Sequence, residues 1–237
     1  RFAKTLARAG AAVVLAARRV EKLKDLRAQI EGEGGDAHVL PLDVTDLQSI
    51  KSAVAHAETE VGSIDILINN SGVSTTQRLQ DVTEEDYDFI FDTNVKGLFF
   101  LTQQMLPLLE AGATSDDPSR VINIGSIDGI VVPRMGTYSY SSSKAAVHQL
   151  TRHMAHALAP TILVNAIAPG PFPSKMMAAT LDAVGDRLAA GTPVGRLGRG
   201  EDMAGAAIYL ASRAANYVTG AVIPVDGGLS TTVGLSI

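Results

Sequence analysis

Tyr140 and Lys144 stand four positions apart in the run Tyr140-Ser141-Ser142-Ser143-Lys144. On a helix that spacing puts the phenol and the amine on one face. A free tyrosine, with a pKa of ~10, exchanges protons poorly near neutrality. An ammonium beside it stabilises the phenolate and lowers that pKa. The pair therefore suits proton transfer to or from an oxygen, although the spacing alone is common by chance. Tyr138 lacks the partner, because Ser142 occupies its fourth following position. Ser126 ends Asn123-Ile124-Gly125-Ser126, 14 residues before Tyr140. Its hydroxyl can orient a substrate oxygen, or simply cap a turn. Asn69-Asn70-Ser71-Gly72 follows another apolar run, and polar residues with a glycine there suit close approach by a ligand or a plain turn. Asn94-Val95-Lys96-Gly97 reads as a further candidate or as a helix cap.

These residues need a frame. Short apolar runs over 11–17, 64–68, 121–124, 162–167 and 221–225, with a weaker one over 38–42, predict strands buried on both faces, as a helix-covered parallel sheet requires. Amphipathic segments over 21–31, 46–61, 84–91, 98–109, 141–158 and 201–211 predict helices. Alternating β and α units give an α/β, Rossmann-like, doubly wound parallel sheet in a single domain over 1–237. Ala113 to Ser119 reads as an exposed loop, and Pro171 to Pro193 as an apolar substrate-binding loop. There is no repeat and no low-complexity segment.

Composition removes several classes. The chain has 237 residues, 46% hydrophobic and 19% charged, with no cysteine and a net charge of −5. It is globular rather than disordered. Disulfide frameworks, thiolate metal sites and cysteine nucleophiles are excluded. No basic stripe invites nucleic acid, and no run approaches the ~20 residues of a membrane span. With no signal segment either, the expected location is cytoplasmic. The five histidines lack a carboxylate at ligand spacing, so no metal site is expected; His148, His153 and His156 are read as surface or interface residues.

A dinucleotide fold opens with a strand, a glycine-rich turn and a helix whose N-terminus meets pyrophosphate. No G-x-G-x-x-G occurs here; Gly32-Glu33-Gly34-Gly35 follows a helix, and residues 195–200 lie near the far end. Arg1 to Ala9 reads as helix closed by Gly10. The expectation is a domain lacking its first strand and glycine turn, about 15 to 20 residues of a complete unit, either as a fragment, the favoured reading, or as a true loss. If the chain is whole, nucleotide binding should be weak.

In order along the chain, Asn69-Asn70-Ser71-Gly72, Asn94, Ser126, Tyr140 with Lys144, Pro169-Gly170 and the closing Ile223-Pro224-Val225-Asp226-Gly227-Gly228 resemble the classical short-chain dehydrogenase/reductase family, over nearly the whole chain. The family's N-N-A-G motif has Ser71 in place of alanine, and its P-G-x-x-x-T-x-M segment, here 169–176, has Ser174 in place of threonine. Arg120 to Gly129, Phe172 to Met176 and the last strand are most similar to bacterial 3-oxoacyl-type reductases, including the rhamnolipid-associated branch. One departure lies at Ala157 to Val164, where the turn before the strand is a residue short.

The resemblance implies a catalytic set of Asn94, Ser126, Tyr140 and Lys144. Tyr140 is the proton donor, Ser126 holds the carbonyl oxygen, Lys144 tunes Tyr140 and binds ribose, and Asn94 anchors a water to Lys144. It implies cofactor contacts from Asp43 and Val44 at the adenine, and from Asn70, Ser71, Gly72, Tyr140, Lys144, Pro169, Gly170 and Ser174. After the 11–17 strand, an NAD enzyme carries an acid for the ribose 2′-hydroxyl. Here Ala17-Arg18-Arg19 offers guanidinium for a 2′-phosphate, so NADP(H) is the expected cofactor, with Arg18 the main contact. Two solvated arginines at a turn are the plainer alternative. The implied activity is reduction of a small-molecule carbonyl to an alcohol by hydride transfer. Alternatives are a sugar, steroid or small-alcohol dehydrogenase of the same family, or a non-catalytic member. Met176 and Met177 are lid contacts or helix packing. The helices over 98–109 and 145–158 are apolar on more than one face, which in relatives pairs protomers, so a homodimer or homotetramer is expected.

Overall fold

The computed structural model describes residues 2–174 and 177–232. Its elements run α1 (Phe2–Arg8), β1 (Val13–Ala17), α2 (Val20–Gly32), β2 (Ala37–Pro41), α3 (Leu47–Val61), β3 (Ile66–Asn69), α4 (Glu84–Phe91), α5 (Leu98–Glu110), β4 (Ser119–Ile124), α6 (Tyr138–Leu158), β5 (Ile162–Pro169), α7 (Ala178–Gly191), α8 (Gly200–Ala211) and β6 (Val222–Val225). Every strand pair is parallel. The α/β class and the predicted strands hold to within a few residues. Arg1 and Met176 lie outside the described residues.

The apolar runs become strands because both faces are covered. Along β4, Val121 packs with Leu67, Leu109 and Val164 beneath α3 and α5, while Ile122 turns the other way onto Ile167, Met203 and Leu210 beneath α8. That is the period of two expected of a strand, and each fully buried branched side chain is worth about 1.5–3 kcal/mol. The register sets Asn69 beside Asn123, and Asn123 beside Ala166. The carboxyl ends of β3, β4 and β5 therefore form one rim, where ligands gather in such sheets.

The strands form two sheets, β1-β2 and β3-β4-β5-β6, rather than one. Between the facing edges of β1 and β3 lies a cavity of about 750 Å³, lined by Leu6, Val13, Leu15, Ile66 and Ile68 and reaching Asn70 and Ser71. Among the described residues β1 and β3 share no ladder bond, so the edge of each that faces the other has no strand partner. The third apolar cluster, Ala7, Val13, Leu15, Leu23 and Ile30, holds α1 and α2 onto the small sheet. Gly10 adopts φ 96°, the left-handed conformation that lets the chain leave α1 and enter β1.

Candidate active site

Ser126 follows β4 with extended backbone, φ −165° and ψ 153°. Its Oγ accepts from the Asp128 N–H at 3.1 Å and so caps the short 3-10 turn Ile127–Gly129. The capping role and the catalytic one proposed for this residue do not compete, since the hydroxyl keeps its own proton to donate. The turn sits directly on α6. A Cβ on Gly125 would lie 2.2 Å from His148 Nε2, and one on Gly129 would lie 2.7 Å from Ala145 N. Only glycine permits that approach, and it is the approach that brings Ser126 to Tyr140.

Tyr140 is half-buried on the first turn of α6. Burial pushes its phenol above the usual tyrosine range, the Ser126 hydroxyl pulls it down, and the Asp128 carboxylate pushes it up. Lys144 is 4% exposed. Its Nζ lies 5.6 Å from the Tyr140 ring centroid and donates to the Ile124 carbonyl at 2.7 Å. Burial lowers its pKa to about 8. The spacing led us to expect an ammonium that depresses the tyrosine. Here burial is the largest influence on the phenol and raises its pKa, while the ammonium donates to the carbonyl at the end of β4. The outcome is a neutral phenol beside a serine hydroxyl, the protonation state of a donor.

Asn94 lies in a π-helical stretch, Asp92–Gly97, joining α4 to α5 without a break, not at a cap. Its amide makes three hydrogen bonds: Oδ1 accepts from Val73 N at 2.9 Å, and Nδ2 donates to Val73 O at 3.0 Å and to Ser143 Oγ at 2.9 Å. It pins the loop after β3 to α6. In that loop Gly72 passes over the amine, a Cβ there falling 3.4 Å from Lys144 Nζ. Gly97 earns its place in the same way, a Cβ meeting Val44 O at 2.6 Å. Beneath the rim, Asn69 Nδ2 donates to Thr102 Oγ1 and Asn123 Oδ1, each at 2.9 Å, and Asn123 Nδ2 to Thr151 Oγ1 at 2.9 Å. This buried chain ties β3, β4, α5 and α6 together at the site's floor.

The residues expected to meet a nucleotide lie along the same rim. Asn70 and Ser71 are exposed and Gly72 half-buried. Arg18 and Arg19 are exposed beyond β1. Arg18 Nη1 lies 3.8 Å from Asp43 Oδ2. The Thr45 N–H, then its hydroxyl, then Arg18 hold the Asp43 carboxyl below the usual carboxylate range. Val44 packs half-buried beside it. Pro169 ends β5, and Gly170 crosses Asp226 so closely that a Cβ would lie 2.8 Å from its Cα. Ser174 is exposed and its Oγ accepts from Met177 N at 3.2 Å. A dinucleotide phosphate with its nicotinamide fits this set at Arg18, Arg19, Gly72, Gly170 and Lys144: two exposed guanidiniums, two glycines at close crossings and a buried amine. Among the described residues no glycine-rich turn opens a helix beside β1.

Three readings of the sequence change. His148 is not a surface residue: it is 3% exposed, wedged against Gly125 and Gly129, and burial lowers its pKa to about 4 against the opposing Gly129 backbone hydrogen bond. His153 and His156 are exposed. The stretch 171–193 is not all loop, since α7 occupies 178–191 with a kink at Val184. Asp128, two residues after Ser126, escaped notice although a carboxylate beside a catalytic serine candidate was visible in the sequence. At Ala157 to Val164 the short turn is made through a cis Ala159–Pro160 peptide.

A family model described as enoyl-(acyl carrier protein) reductase matches residues 1–230. The chain is 40% identical over 234 residues to the rhamnolipids biosynthesis 3-oxoacyl-(acyl-carrier-protein) reductase of Pseudomonas aeruginosa, covering 96% of this chain and 90% of the relative. It is 36% identical over 240 residues to the gluconate 5-dehydrogenase of Gluconobacter oxydans, with 98% and 90% covered. Among solved structures it is similar to the Pseudomonas aeruginosa RhlG/NADP active-site complex, with TM-score 0.92, 38% identity, and 97% of this chain and 90% of that chain covered. It is likewise similar to a gluconate 5-dehydrogenase from Burkholderia cenocepacia in complex with NADP and tartrate, with TM-score 0.91, 34% identity, and 98% and 90% covered.

Proposed function

The chain belongs to the short-chain dehydrogenase/reductase family of oxidoreductases, and from that premise we propose that it reduces a carbonyl to an alcohol with NADPH, a 3-oxoacyl thioester being the first substrate class to try. The observation that carries the reading is a half-buried Tyr140 phenol against the Ser126 hydroxyl with Lys144 one helical turn on, 5.6 Å from the ring. When bound, NADPH would supply the hydride for the carbonyl carbon. Ser126 donates a hydrogen bond to the carbonyl oxygen and fixes its direction. Tyr140 passes its proton to that oxygen as negative charge develops there, leaving phenolate. The Lys144 ammonium, on the same helix face and 5.6 Å from the ring, stabilises that phenolate as its charge develops. Asn94 acts through position, holding the 72–73 loop against α6. Arg18 and Arg19 would take the 2′-phosphate, and Gly72 and Gly170 would let backbone approach the nicotinamide half.

The similarity to gluconate 5-dehydrogenases favours a second reading, a dehydrogenase of sugar-type alcohols using the same residues with Tyr140 as base. A homodimer or homotetramer built on α5 and α6 goes with either. The test is NADPH consumption with a panel of 3-oxoacyl thioesters, keto-sugars and ketosteroids, repeated with NADH. The reading requires turnover with NADPH favoured at least about tenfold, since a bidentate guanidinium–phosphate contact is worth about that much or more. A clear NADH preference, or cofactor binding without turnover of any carbonyl, rejects it.

A further inference from the structure

We propose that Asp128 sets the charge of the substrate: its carboxylate excludes ketones that carry an anionic group near the reacting carbonyl and admits neutral ones. The inference rests on the carbonyl-reductase reading and narrows its substrate class. Asp128 lies in the turn that Ser126 caps, with its N–H on Ser126 Oγ at 3.1 Å. Its side chain is half-buried. The contact made to its carboxyl is weak, Thr137 Oγ1 at 3.5 Å. Among the described residues no ion pair neutralises it, so above its pKa, which burial raises against the Thr137 hydroxyl, its charge stands uncompensated. Its field reaches the Tyr140 phenol, whose ionisation it disfavours.

An aspartate in that place works against the chemistry, because proton donation by Tyr140 ends in a phenolate. A charge that hinders the reacting group is explained if it acts on what enters. In a partly buried site a second anion a few ångströms from Asp128 is strongly disfavoured, and specificity by repulsion is as effective as specificity by contact. The rim that leads from this turn into α6 fits a neutral guest. Ile130, Val131, Val132 and Met135 are exposed on it, Val132 at 93%. Gly136 O accepts from Gln77 N at 2.9 Å and brings exposed Leu79 alongside. The one cation of the 127–137 segment, Arg134, is exposed to solvent. A 3-oxoacyl thioester is uncharged around its ketone, whereas a keto-acid of gluconate type carries a carboxylate a few bonds away. The structure thus separates the two chemistries.

The experiment uses the full-length protein with NADPH and a matched pair, levulinate and its methyl ester, which share a ketone and differ in charge. The proposal predicts that kcat/KM for the ester exceeds that for the acid by about tenfold or more, and that Asp128→Asn cuts this ratio at least about fivefold by raising the acid. Asp128→Ala, which also loses the Thr137 contact, must shift the ratio the same way, as a pure charge effect requires. A ratio unchanged in both variants, or ester and acid falling in parallel, overturns the proposal and leaves the reductase reading standing. Turnover of neither ketone while 3-oxoacyl thioesters are reduced overturns the proposal, which requires the neutral ester to be admitted; turnover of no carbonyl at all overturns the reductase reading as well.

Discussion

Lys144 carries the clearest pH signature. Its folded pKa of about 8 means that the ammonium is lost as pH rises through that value. Reductive kcat should fall above pH 8, by up to about tenfold per unit, if the ammonium supports the phenolate left behind; a profile flat to pH 10 contradicts this. Unfolding by the same group cannot produce the fall. The unfolded lysine keeps its proton up to the ordinary lysine value of 10.5, so between the two values the unfolded state binds more protons and this group's contribution to stability rises with pH. His148 gives the matching acid prediction. It titrates at about 4 when folded and near 6.5 when free, so stability drops as pH falls through that window, by up to about 3 kcal/mol. Asp128, whose pKa is raised, runs the other way. Asp202, held at about 2 by Arg196, acts only below the window. Urea unfolding of wild type against His148→Asn cancels both, and the difference should shrink toward pH 4. Arg18→Glu should move cofactor preference from NADPH toward NADH by about tenfold or more, read from the ratio of kcat/KM; an unchanged ratio returns Arg18 to an ordinary solvated turn.

At the scale of elements, the site is made by one helix and one strand end pressed together through glycine. Gly125→Ala should cost about 2–4 kcal/mol, because its Cβ meets His148 Nε2. The cost should shrink in a His148→Ala background, where that obstacle is gone; thermal unfolding of the two singles and the double measures it, and simple additivity refutes the contact. These elements were legible where burial imposes a period. Strands covered on both faces read as continuous apolar runs, and Ser126, Tyr140 and Lys144 declared themselves by type and spacing. The α7 helix did not, because its described residues are at most half-buried and it begins beyond Pro171 and Pro173, which read as loop. For Asn94 the cap alternative stayed open beside the catalytic one, for want of any sequence sign of a π-helical join. His148 looked like a surface residue because its burial depends on two glycines about twenty positions earlier, a tertiary fact no local pattern carries. The phenol's direction was missed for a similar reason: spacing gives adjacency, but burial decides the sign.

For the whole molecule, the sheet orders its strands so that β3, β4 and β5 end together, and the floor of buried asparagines keeps them there. The exposed Tyr87 and Phe89 of α4 and Phe99 of α5, with the broad apolar faces of α5 and α6, predict a homo-oligomer; light scattering should give a dimer or tetramer, and a strict monomer would contradict it. The frame serves the proposed arrangement, a phenol presented to a carbonyl oxygen with a serine hydroxyl and an amine beside it. Single-turnover reduction of a ketone by NADPH in Tyr140→Phe tests it most directly. The account predicts a loss of about a thousandfold or more in rate with NADPH affinity and thermal stability close to wild type; a rate within about tenfold of wild type would contradict it.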